Sequence, residues 1–268
     1  MTVLRTIAGS ALIAVLTFLL AGCGGSATVE KTTSAAPVLS SSLRLATLNF
    51  AGFKRRLEKK DVAALAKVLK REQIDVVAVH GITRYPDVAT RVDFVRELSA
   101  QTDMRNVFGE MVNNSGRQTG NAIFSSYPIL SHHNQSFDAV KSAVYEAALA
   151  ATVDEGSGSV VVVSAEFPDR STKDDDARCA KIIAGLNPDA GRSAMVVTGN
   201  LPDEAARTQA GFSDATALLP GKHPADVSVW YAGSELFRPV AARVVPTDMG
   251  PLLITQFGLY RTPSSTSP

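Results

Sequence analysis

Apolar and polar positions begin to alternate at Leu43. Leu43, Leu45 and Thr47 fall on one side of an extended segment and Arg44, Ala46 and Leu48 on the other, so Leu43 to Phe50 reads as a strand with one strongly apolar face. It stops at Asn49, a polar side chain at a strand end just before Gly52. Strand ends are where rigid backbone delivers polar groups into a cleft. The period then changes. Val62, Leu65, Ala66 and Leu69 recur at three-and-four spacing, which predicts a helix from Asp61 to Glu72 with Asp61 as its cap. Ile74 to Val79 is a continuous, largely β-branched run, the mark of a buried strand, and ends in His80-Gly81. A second helix is expected from Pro86 or Asp87 to about Gln101, then a strand from Met104 to Val112 and a polar turn at Asn113-Asn114-Ser115-Gly116.

Gly120 to Ser125 leads through Tyr127-Pro128 to Ile129. Val144 to Val153 and Ser159 to Phe167 read as strands around the hairpin signal Asp154-Glu155-Gly156-Ser157-Gly158. Asp174-Asp175-Asp176 opens a helix to about Leu186, where acids suit the N-terminal dipole. Ala194 to Thr198 is a further buried strand, ending in Gly199-Asn200-Leu201-Pro202. Val227 to Tyr231 follows Asp226, and Val240 to Val245 and Leu252 to Phe257 finish the sheets with Thr247-Asp248-Met249 between them.

The first forty residues have a different composition. Ile7 to Leu20 is nearly unbroken in its apolarity and comes after Arg5, but it is too short and too rich in small residues for a spanning helix. It ends in Leu20-Ala21-Gly22-Cys23, which resembles the lipobox of bacterial lipoproteins: cleavage after Gly22 would leave Cys23 carrying lipid on its sulfur. The expected plan is a signal peptide at 1–22, a flexible Gly/Ser/Ala/Thr tether at 23–42, one domain at 43–261 and a disordered tail at 262–268. The bilayer is then a partner through Cys23, and the domain sits on the extracytoplasmic side of the cell membrane or outer membrane.

Charge and cysteine content narrow the chemistry. The chain has 27 basic and 26 acidic residues, and residues 1–22 hold only Arg5 of these, so the chain from Cys23 onward is balanced. That balance argues against nucleic acid as partner, since polyanion binders carry a basic excess. Beyond Cys23 the only cysteine is Cys179, at helical spacing with Ile182 and Ile183 and read as a small core hydrophobe. His80, His132, His133 and His223 show no ligand spacing. His132 and His133 point to opposite faces of an extended chain, and Trp230 is assigned to the core. The Lys54-Arg55-Arg56 cluster reads as a solvated helix entrance.

The order of the strand ends resembles the endonuclease/exonuclease/phosphatase superfamily over about Leu43 to Phe257. Thr47-Leu48-Asn49 is similar to its Thr-x-Asn, and Asp75-Val76-Val77-Ala78-Val79-His80-Gly81-Ile82 to its Asp-Val-Val-x-Leu-Gln-Glu-Val. Gly120 to Ile129 is similar to Gly-x-Ala-Ile-Leu-Ser-Arg-x-Pro-Ile. Val161 to Phe167 takes the place of the strand ending in Thr-His-Leu, Val196 to Pro202 that of Gly-Asp-Phe-Asn, and Thr247-Asp248-Met249 that of Ser-Asp-His. The resemblance implies an α/β (α+β) fold, a two-sheet mixed β-sandwich flanked by helices and DNase I-like. It also implies a metal-held phosphate attacked by water that a His–Asp pair activates.

The departures fall on the residues that do that chemistry. Gly81 stands where the metal glutamate belongs, Glu166 where a phosphate-contacting histidine belongs, Asn200 and Pro202 where Asp-x-Asn belongs, and Met249 where the base belongs. Asn49, Asp226 and Asp248 are retained. The reading is therefore a membrane-anchored, catalytically inactive domain that works by binding, with no confident catalytic or metal residue and no cofactor expected. Asn49, Arg117, Asn121 and Asp226 are its ligand-binding candidates, and a small phosphorylated ligand or an envelope protein its expected partner. One alternative is a phosphodiesterase or phosphatase with a rebuilt acidic site of Glu166, Asp226 and Asp248, which would use Mg²⁺ or Mn²⁺. Another is an envelope structural or interaction protein whose cleft is idle.

Overall fold

The computed structural model describes residues 36–50, 53, 55–86, 88–137, 146–167, 172–187, 193–201, 204–221, 227–233 and 235–262. The signal peptide, Cys23, the tether up to residue 35, Pro202, His223, Asp226 and the tail from 263 lie outside them. Among the described residues no helix is long and apolar enough to cross a membrane.

Among the described residues twelve strands form two sheets. The first is ordered β11-β12-β1-β2-β4-β3, from Phe237–Thr247 (β11), Gly250–Arg261 (β12), Val38–Asn49 (β1), Val76–Arg84 (β2), Arg117–Ser125 (β4) and Arg105–Asn114 (β3). The second is ordered β5-β6-β7-β8-β10-β9, from Ile129–Ser136, Ala147–Asp154, Ser159–Glu166, Ala194–Asn200, Ser228–Ala232 and Ser213–Asp214. Each sheet is mixed. β1 runs parallel to β2, with Asn49 opposite His80, and antiparallel to β12. β7 runs parallel to β8, with Glu166 opposite Asn200.

The period-2 alternation sorts side chains into layers. Leu43, Leu45, Val76 and Ala78 meet Leu149, Ala151, Val160, Val162 and Val196 between the sheets. Ala46, Leu48, Val77 and Val79 face the other way, onto α1 (Lys59–Arg71) and α2 (Phe94–Thr102). Val161, Val163 and Val197 of the second sheet pack on Cys179, Ala180 and Ile183 of α3 (Lys173–Ala184) and on Ala206 of α4 (Glu204–Gln209). β1 therefore has two buried faces rather than the one apolar face its alternation predicts. The result is the expected two-sheet sandwich flanked by helices.

Several boundaries differ from the pattern. β1 begins at Val38, inside the stretch read as tether, because the chain from Val38 to Ser42 already pairs with β12 and Ser41 Oγ donates to Glu155 Oε2 at 2.9 Å. α1 is capped by Glu58, not Asp61. Asp61 sits one turn in, where its Oδ2 accepts the Glu58 N–H at 2.9 Å and its carboxylate takes two bonds from Arg55, at 2.7 and 2.8 Å. α2 starts at Phe94, not near Pro86. Asp93 caps it by accepting from the N–H groups of Val95 and Arg96, and a salt bridge to Arg84 holds that carboxylate in place. The Asp174 triplet does open α3, behind a Thr172 cap whose Oγ1 accepts from Asp175 N.

Candidate ligand cleft

The C-terminal ends of β1, β7 and β8 meet the kink of β2 at one end of the sandwich. Their convergence is set by a buried pair of hydroxyls: Thr198 Oγ1 donates to Thr47 Oγ1 at 2.5 Å across the gap between the sheets. By the period-2 rule Asn49 and Asn200, two residues further along the same strands, face the same gap. Both are half-buried. Gly199 makes the close approach of β7 and β8 feasible: its φ is 146°, and a Cβ there would lie 1.7 Å from the Ala165 carbonyl oxygen.

β2 does not end at Gly81, as its apolar run implies, but bends there. Gly81 has φ 68°, in the left-handed region, and pairing with β4 skips between Val79 and Ile82 before continuing to Arg84. Asn121 fixes the bend. Its Oδ1 accepts the Gly81 N–H at 3.3 Å, while its Nδ2 donates to the carbonyls of Ala147 at 2.9 Å and Ser164 at 3.2 Å. A second tie runs alongside, from Ser164 Oγ to the Val79 carbonyl at 3.1 Å. Asn121 is fully buried and all of its bonds go to backbone, so it fastens the two sheets and offers no surface to a ligand.

The remaining predicted residues separate. Glu166 lines a depression of about 360 Å³ with Gly81, Glu146, Arg117, Val112 and Thr119. Arg117, exposed at the start of β4, also lines a second depression of about 330 Å³ bounded by Phe50, Phe53, Tyr85, Arg55, Arg56 and Arg91. Met249 lies in the β11–β12 turn, but its side chain is 4% exposed and belongs to the apolar cluster of Leu48, Phe50 and Phe94. Asp248 beside it is exposed, and its charge helps hold the Arg55 guanidinium above its ordinary value, behind the larger effect of the Asp61 bond. His80 is fully buried next to the bend, with its carbonyl accepting from Phe50 N. Among the described residues no three His, Cys, Asp or Glu side chains gather to hold a metal.

Elsewhere, His132 and His133 are exposed on the edge strand β5. Trp230 is packed on Phe167 and Phe212, and burial pushes the Cys179 thiol up to about 12. A cavity of about 450 Å³ lies at the opposite end, against the first residues of β7 and β8 and the last of β12, away from the strand-end cleft. The arginine-lined depression does not stand out in the sequence because its residues come from three separate segments. Its one sequence signal is the 54–56 cluster, which also fits a solvated helix entrance.

No family model and no curated protein matches the sequence. Solved structures do match. An endonuclease/exonuclease/phosphatase from Beutenbergia cavernae superposes with a TM-score of 0.63 at 17% identity, over 84% of this chain and 73% of that one. One from Bacteroides vulgatus gives 0.62 at 13%, over 82% and 100%. TDP2 of D. rerio complexed with a single strand DNA product gives 0.59 at 12%, over 81% and 99%. The chain has the endonuclease/exonuclease/phosphatase fold, DNase I-like in its paired mixed sheets.

Proposed function

We propose that this chain is a lipid-anchored binding protein built on a phosphoesterase fold whose cleft no longer hydrolyses. The observation that carries the reading is the pairing of Gly81 with Met249. A position that should supply a carboxylate has no side chain and a left-handed backbone, and a position that should supply a base is a buried thioether in the core. Neither can polarise a phosphoryl oxygen or take a proton from water near neutral pH. Asn49 and Asn200 remain at the cleft as hydrogen-bonding groups, which suits recognition. Cys23 supplies the anchor through its lipobox-like context, on the extracytoplasmic side of the cell membrane or outer membrane.

The test is hydrolysis of bis(p-nitrophenyl) phosphate and p-nitrophenyl phosphate by the full chain with Mg²⁺ or Mn²⁺. No metal-dependent turnover is expected; rates of about 1 to 10³ s⁻¹, typical of enzymes, would overturn the reading. Incorporation of labelled palmitate that is lost in Cys23→Ser tests the anchor.

One observation favours a second reading. Glu146 and Glu166 line the same depression, and carboxylate oxygens are the ligands a hard divalent cation takes. On that reading Mn²⁺ raises the melting temperature and Glu166→Gln removes the rise.

A further inference from the structure

The end of the sandwich where β1 begins is apolar on its outside. Val38 and Leu39, the first two residues of that strand, are 51% and 57% exposed. Register places other side chains beside them. Leu39 lies opposite Tyr260 and Val38 opposite Arg261, and the Tyr260 N–H donates at 2.8 Å to the carbonyl of Leu236, itself 40% exposed. β5 starts at the same end, next to the β6–β7 hairpin, and exposes Leu130. The group is held in place: Val38 and Leu39 pair with β12, and Ser41 is bonded to Glu155 of that hairpin. The Arg238 guanidinium lies 4.5 Å from the centre of the Tyr260 ring. Single exposed aliphatic side chains are ordinary, but a group of them rimmed by a tyrosine and arginines has the composition of a surface that meets a bilayer.

Resting on the lipid-anchor reading above, we infer that this end of the domain docks on the bilayer, with Val38, Leu39 and Leu236 in the interfacial layer and Tyr260, Arg238 and Arg261 at headgroup level. Chain length selects the bilayer over other occupants. Val38 follows Cys23 by fifteen residues, and a flexible chain of that length spans roughly 20 Å. Lipid on Cys23 therefore keeps this end at a high effective concentration near the membrane surface. Glu235, exposed next to Leu236, offsets one of the two exposed arginines. Apolar contact rather than net charge then carries the docking, and salt leaves it in place. The consequence is orientation. Asn49 closes β1 at its other end, so docking turns the strand-end cleft away from the bilayer and toward partners in the surrounding space.

The test uses the full chain reconstituted in vesicles of phosphatidylcholine and phosphatidylglycerol that carry a nitroxide-labelled lipid. A fluorophore is attached through Leu39→Cys, through Leu236→Cys or, at the far end, through Asn114→Cys at the exposed end of β3, with the unsubstituted chain as the labelling blank; Cys179 is buried. Quenching at positions 39 and 236 is expected to exceed that at 114 by at least about threefold, at low and high salt alike. Leu39→Asp should weaken quenching of the label at position 236 by at least about twofold while the melting temperature holds. Equal quenching at the three positions, strongest quenching at 114, or loss of the pattern in salt overturns the inference. So does a fluorescence change that follows protein rather than lipid concentration, which marks a second copy on this surface. Palmitate incorporation reads the anchor separately. A lipidated chain without the pattern removes the docking and leaves the anchor. The pattern on a chain without lipid keeps the docking and removes the anchor, and absence of both removes both.

Discussion

The side-chain amide of Asn121 is bonded at both ends to backbone on three strands, and it does so with no exposure to water. Removing it leaves the Gly81 N–H and the carbonyls of Ala147 and Ser164 without that partner. Asn121→Ala is therefore expected to cost about 2–4 kcal/mol, by comparison of urea midpoints with the parent chain. Met249 gives a contrasting prediction. Because it sits in an apolar cluster, placing an imidazole there buries a polar ring without a partner. Met249→His should lose about 1–3 kcal/mol of stability and gain no phosphatase activity, measured by thermal melting and by turnover with Mn²⁺. At this scale the sequence was partly legible. Which residue types occupy the strand ends could be read directly, and so could the core roles of Trp230 and Cys179. That Asn121 points inward could not, because a polar residue after a glycine in a strand has the same local pattern whether it faces a ligand or a neighbouring carbonyl.

Elements were legible where burial imposes a period and less so at their ends. α1, β2, β6, β7 and β8 appear where the apolar spacing predicts them, within a few residues. Pro86 suits a first helical turn, but the Asp93 carboxylate, held by Arg84, caps α2 further on. Val38 to Ser42 is rich in serine and reads as linker; its strand state comes from pairing with β12, a partner more than two hundred residues away. A chain beginning at Leu43 is thus expected to melt lower than one beginning at Ala36, with a loss of about 1–3 kcal/mol from the missing backbone pairs and the Ser41–Glu155 bond. Equal melting temperatures would show that the first five residues of β1 add nothing.

For the molecule as a whole, charge pairs on the first sheet and α1 set the response to acid. The Arg55 bond holds the Asp61 carboxyl below its ordinary value, and the bonds from Arg243 and Arg71 do the same for Glu72. Groups depressed in the folded state contribute stability above their unfolded values, near 3.8 and 4.5, and lose it as pH falls through their folded ones. Asp75 opposes them: burial raises its carboxyl, so it favours the folded state at low pH and ceases to as pH rises through its folded value. Two depressed groups against one raised predicts melting temperatures that fall below about pH 4, with a shallower fall in Asp61→Asn. The fold itself was legible at this scale from the order of strand ends alone. The lining of the two depressions was not, because Glu166, Arg91 and Arg117 take their places in it only once both sheets and the β2–α2 connection are formed.

The left-handed backbone at Gly81 also bears on which substitutions this position accepts. A codon for glutamate is one or two bases from a codon for glycine, so Gly81→Glu looks simple to reach. The backbone makes it otherwise. A side chain at φ 68° is strained by roughly 1–2 kcal/mol, the bend it would have to straighten is tied to Asn121, and the skipped pairing with β4 would have to shift register. Gly81→Glu alone is therefore expected to lower stability, whatever a metal bound beside it could return.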